Sequence, residues 1–108
     1  MTFSPADGAT VVAISINITI TFDEAVRNTD DTPLTNSNID SLITLKDYTS
    51  GADIAFDATI DLSKRVITIN PQDNLPTLRS VYVYIGATVE DSADNAIAAT
   101  SATFMTLP

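Results

Sequence analysis

Fourteen acidic side chains, twelve Asp and two Glu, set against five Lys and Arg give this 108-residue chain its chemistry. They gather in groups: Asp23 with Glu24, Asp30 with Asp31, and Glu90, Asp91, Asp94 and Asn95 in one short stretch. Carboxylates gathered in this way can hold a hard cation such as Ca2+, which takes about six to eight oxygen ligands. Alternatively, two of them held about 5–10 Å apart across a cleft can serve as acid and base in glycoside hydrolysis. Glu90, Asp91, Asp94 and Asn95 offer enough oxygens to begin a calcium site, which Asp23 and Glu24 would extend if the loops meet. The same residues also make Asx turns, in which Asp91 and Asn95 accept backbone N–H bonds. No group follows the EF-hand spacing, so the turn reading carries more weight and calcium is the only cofactor to consider.

Other chemistries lack their parts. The chain has no histidine and no cysteine, which removes the usual general base, thiol nucleophiles, disulfides and most transition-metal ligands. Tryptophan is absent too, so the commonest sugar-stacking side chain is missing, and the acids fall in turn-like, solvated sequence. The expectation is a chain that is not an enzyme. A net charge of −9 argues against binding nucleic acid or an anionic membrane surface, since both need clustered positive charge. No run approaches the ~20 apolar residues of a membrane-spanning helix, so no membrane insertion is expected.

The elements that must position these acids are strands. Ile16 to Phe22 alternates without a break, placing Ile16, Ile18, Ile20 and Phe22 on one face and Asn17, Thr19 and Thr21 on the other. Ser4 to Gly8 is a turn cluster between two pieces of an edge strand, Thr2-Phe3 and Thr10 to Ala13. Arg27 to Asn38 is polar and contains Pro33, which reads as a loop. Further strands are expected at Leu42–Lys46, Ala52–Ala58, Val66–Asn70, Val81–Ile85 and Ala102–Leu107. Pro71 ends the Val66 strand, since proline cannot donate to a ladder. No amphipathic helix stands out. Seven to eight short strands at this spacing describe an all-β, two-sheet antiparallel sandwich.

Five segments in order carry a resemblance: Ser4-Pro5-Ala6-Asp7-Gly8-Ala9, Thr19 to Val26 (TITFDEAV), Val66 to Pro71 (VITINP), Tyr82-Val83-Tyr84-Ile85, and Asp91 to Asn95 (DSADN) before Phe104. Together they resemble the bacterial Ig-like domains of S-layer proteins and of large secreted or surface-anchored proteins. Ala25 stands where that family commonly has proline, Asp23 where it has serine, and Asp94 where its late turn has glycine. The resemblance implies an immunoglobulin-like β-sandwich with Greek-key connections. It also implies a structural or spacer module of a bacterial secreted or cell-surface protein, its partners being neighbouring domains of the same chain. The other reading is an adhesive module gripping a protein or glycan. Residues 1–108 are then expected to be one domain of a longer multidomain chain.

Val81 to Ile85 is apolar or aromatic on both faces, so its alternation does not choose an inner one. Ig-like sandwiches carry an inward tyrosine near this strand, which points Tyr82 and Tyr84 to the core. Val81, Val83 and Ile85 would then form an outward apolar row, either covered by neighbouring strands or packed on another domain. The expected core is Phe3, Ile16, Ile18, Ile20, Phe22, Ile43, Leu45, Phe56, Ile67, Ile69, Tyr82, Tyr84 and Phe104.

Overall fold

The Ile16–Phe22 alternation becomes the centre of one sheet, because its β-branched face pairs with the matching face of the Val66 strand. A computed structural model describes residues 1–86, 89–91 and 93–108. Its strands are β1 (Thr2–Ser4), β2 (Ile18–Thr21), β3 (Val26–Asn28), β4 (Ile43–Asp47), β5 (Ala52–Asp53), β6 (Phe56–Ile60), β7 (Val66–Pro71), β8 (Ser80–Ile85), β9 (Val89–Asp91), β10 (Ala96–Ile97) and β11 (Thr100–Met105). One 3-10 turn, Ile39–Leu42, precedes β4.

Two four-stranded sheets form, ordered β1-β2-β7-β6 and β11-β8-β4-β5. This is the A-B-E-D against G-F-C order of an immunoglobulin-like sandwich, with β5 as an added edge. Ile18 pairs with Ile69 and Ile20 with Ile67. All four are fully buried, and they meet Leu45, Val83, Ile85 and Phe104 of the second sheet in one core. Burying each of these side chains contributes about 1.5–3 kcal/mol.

Three strands differ from the expected course. The two edge pieces separate: β1 pairs with β2, whereas Val12 bridges Thr106 beside the opposite sheet. The expected Ala52–Ala58 strand breaks at Ile54 and Ala55, so that β5 pairs with β4 and β6 with β7. Between the two, the Ile54 N–H bonds the Leu45 carbonyl and the Ala55 carbonyl accepts from Gln72, which marks the crossing from sheet to sheet.

The third difference is the phase of β8. Val81, Val83 and Ile85 are buried, and Tyr82 and Tyr84 lie on the outer face. The apolar row is therefore a core row and offers no surface to a neighbouring domain. Its phase follows from β4 and β11: Ile85 faces Ile43, Val83 faces Leu45 and Ala102, and Val81 faces Phe104. Cross-strand partners must share a face, so the inward residues of β4 carry the valines in with them. Tyr82 instead stacks with Tyr48 and Tyr84 over the outside, at 5.5 and 6.2 Å between ring centres.

The Arg27–Asn38 segment is not wholly loop. Its first residues belong to β3, and Leu34 is fully buried. The segment is fastened by the Lys64 ammonium donating to the Leu34 carbonyl and by the Ile60 N–H donating to the Asn36 side chain. β3, β9 and β10 make a third, smaller sheet ordered β10-β9-β3, and the acids collect there.

Candidate functional site

Pairing in the small sheet sets Arg27 of β3 directly opposite Glu90 of β9. Val26 and Val89 on the same two strands are buried and anchor the sheet to the core. A tight turn follows each strand. After β3, Asp31 donates its N–H to the Asn28 carbonyl and Asn28 donates to the Thr32 carbonyl. The Asp30 carboxylate accepts from the Thr32 N–H and hydroxyl. After β9, the Asp91 carboxylate accepts from the backbone of Ala93 and Asn95 and from the Asn95 amide.

Each turn holds an aspartate in the left-handed region, Asp31 at φ 70° and Asp94 at φ 65°. Asp bears that conformation better than most residues. Asp94 thus takes the backbone form that glycine would supply at this point, and adds a carboxylate that glycine lacks.

Both turns aim their carboxylates at Arg27. Its Nη2 lies 2.6 Å from Asp94 Oδ1 and 3.1 Å from Asp31 Oδ1, while Nε stands 3.7 Å from Glu90 Oε1. That last separation is too long for a hydrogen bond. Arg27 Nε and Glu90 Oε1 are buried and have no hydrogen-bond partner among the described residues. One oxygen from each of Asp31, Glu90 and Asp94 lies within 4.8 Å of the others. The Glu90 side chain is 7% exposed, against 67% and 75% for Asp31 and Asp94.

The charges answer to these surroundings. Burial pushes the Glu90 carboxyl above its ordinary value, neighbouring Asp31 adds to the rise, and Arg27 pulls the other way. The Asn95 N–H and amide hold Asp91 below the usual carboxylate range, and the Thr32 hydroxyl and N–H do the same for Asp30. For Arg27, burial opposes the charged form, but the three carboxylates outweigh it and keep the guanidinium protonated.

Of the six acids and amides expected to gather, Glu90 and Asp94 meet at Arg27, while Asp23, Glu24, Asp91 and Asn95 come together around a separate open cleft. Asp91 and Asn95 close the β9–β10 turn. On their other side they line, with Asp23, Glu24, Met1, Phe22 and β10, this open cleft of about 310 Å3. Sequence reasoning noted Asp31 beside Asp30 without joining it to this cluster, and it missed Arg27. The spacing of four between Arg27 and Asp31, with opposite charge, was a local hint, but the pairing of β3 with β9 is a long-range fact. The Arg27 guanidinium lies between the carboxylates of Asp31, Glu90 and Asp94, 2.6–3.7 Å from each.

Immunoglobulin-like sheet order, a sealed core and a small end sheet define a class of β-sandwich module. The model of the bacterial Ig-like domain matches residues 1–106, and the chain belongs to that family. Domains of this family are generally non-catalytic structural modules. Among solved structures, the N-terminal part of the bacterial S-layer protein SbsC is similar, with a TM-score of 0.63 and 14% identity over 94% of this chain and 23% of that one. The S-layer protein rSbsC(31-844) is similar with a TM-score of 0.63 and 13% identity, over 99% of this chain and 14% of that one. At such identities the likeness speaks for the fold alone, and this chain spans under a quarter of either relative. No curated protein matches the chain.

Proposed function

We propose that this domain is a non-catalytic structural spacer in a bacterial secreted or cell-surface protein. The observation that carries the reading is the family match across residues 1–106. The shape agrees with it: the molecule measures 43 × 24 × 22 Å. Met1 borders the cleft beside β10, whereas Leu107 is bonded to Val12 and Leu78 near the start of β8, away from β9 and β10. Copies joined end to end would extend a chain rather than fold it back. Small-angle scattering of two copies in tandem is expected to give a maximum dimension near twice the 43 Å of one domain. A compact or broadly distributed shape would count against a spacer.

The row formed by Tyr48, Tyr82 and Tyr84 favours a second reading, an adhesive module that meets a glycan or protein through the outer face of β8. Tyr48 is 64% exposed at the end of that row, and a tyrosine presents an apolar ring with a polar tip. Binding to immobilised glycans or surface proteins that disappears in Tyr48→Ala and Tyr82→Ala would support it. Unchanged binding in both variants would remove it.

A further inference from the structure

We infer that Asp31, Glu90 and Asp94 form a calcium site, and that the Arg27 guanidinium stands in for the ion until Ca2+ displaces it toward solvent. The inference is independent of the spacer role.

The donor set is the first argument. It consists of oxygens alone, which suit a hard cation and not a softer metal such as zinc or copper. Three oxygens within 4.8 Å of one another need only small side-chain rotations to reach one ion at the ~2.3–2.6 Å of a Ca–O bond. Mg2+ demands a near-ideal octahedron at ~2.0–2.1 Å and gives up its water reluctantly, whereas Ca2+ accepts irregular sites.

The second argument is what Arg27 leaves undone. The guanidinium satisfies Asp94 and Asp31 at 2.6 and 3.1 Å but stops 3.7 Å short of Glu90. Glu90 Oε1 therefore points into the cluster, buried and without a hydrogen bond. A buried carboxylate oxygen left unpaired is unfavourable, and a metal ion among the three acids would remove that defect. One positive charge also faces three carboxyl groups, which a divalent ion matches better.

The third argument is access. Asp31 and Asp94 are exposed, and Arg27 keeps 28% of its side chain open. An ion can enter from solvent and retain water for its remaining ligands, while the arginine head swings out on its flexible stem. Bound calcium would fasten the turn after β3 to the turn after β9.

The test is thermal unfolding and calorimetric titration of the chain, first with EDTA and then with calcium chloride at constant ionic strength. Wild type is expected to melt on the order of 10 °C higher at about 100-fold over Kd. Asp94→Asn and Glu90→Gln are expected to lose that rise. Asp94 is exposed, so its variant gives the answer even where Glu90→Gln fails to fold. Arg27→Gln, freed of the competing charge, is expected to bind Ca2+ at least about tenfold more tightly. Absence of a calcium-dependent shift in wild type overturns the proposal whatever the arginine variant does. A shift that persists in Asp94→Asn and Glu90→Gln places the ion elsewhere and overturns it equally.

Discussion

Aspartates organise the turns of this molecule one residue at a time, and Asp61 shows how. Its Oδ1 accepts from the backbone N–H groups of Arg65 and Val66, and its other oxygen accepts from the Ser63 hydroxyl. These bonds favour the ionised form, the Ser63 hydroxyl most, and hold the carboxyl below its ordinary value of 3.8. The folded chain therefore binds fewer protons at Asp61 than the unfolded chain in that range. The stabilisation is complete above about pH 4 and is lost as pH falls through the folded value beneath it. Asp61→Asn is expected to be less stable than wild type at pH 7, with the gap narrowing toward pH 2.5. Urea midpoints across that range check it, and a gap that stays constant would assign the effect to shape and not to charge. The same habit explains the strong aspartate bias of the sequence, since Asp suits turns where Glu suits helices.

At the scale of elements, legibility followed how one-sided each strand is. β2 and β7 alternate apolar with polar residues, so their inner faces could be read directly. β8 is apolar on both faces, and only its register with β4 and β11 decides that Val83 lies inside and Tyr82 outside. β4 was assigned correctly, and its phase carried across the ladder would have corrected β8. The strands of the small sheet are two or three residues long, too short for a periodic signal. Hence half of the acidic cluster was visible as a carboxylate-rich stretch, while Arg27 and Asp31 came to it only through pairing. Leu34 escaped notice because a lone apolar residue among polar ones has no period. Val83→Asp now tests the phase of β8: it places a carboxylate in the core and is expected to cost at least about 3 kcal/mol. Chemical denaturation measures this, and a near-neutral result with altered self-association would restore the outward assignment.

Across the whole molecule, the first and last segments of the chain lie side by side. Val12 and Thr106 pair in parallel, and four backbone bonds run along the contact. The Gly8 N–H donates to Thr103, Met105 to Ala9, Val12 to Met105 and Leu107 to Val12, all at 2.8–3.0 Å. Tension between the two ends of the domain would drag these segments past each other in shear, so the bonds resist as a group instead of peeling in turn. A module placed in line with a surface polymer would then yield abruptly under load and hold its length until it did. Val12→Pro deletes one of the donors and is expected to lower the unfolding force in single-molecule pulling. Ile60→Ala, on the edge strand β6 of the other sheet, is expected to lower equilibrium stability with little change in that force. The domain's mechanical strength would thus reside in the seam between its two ends.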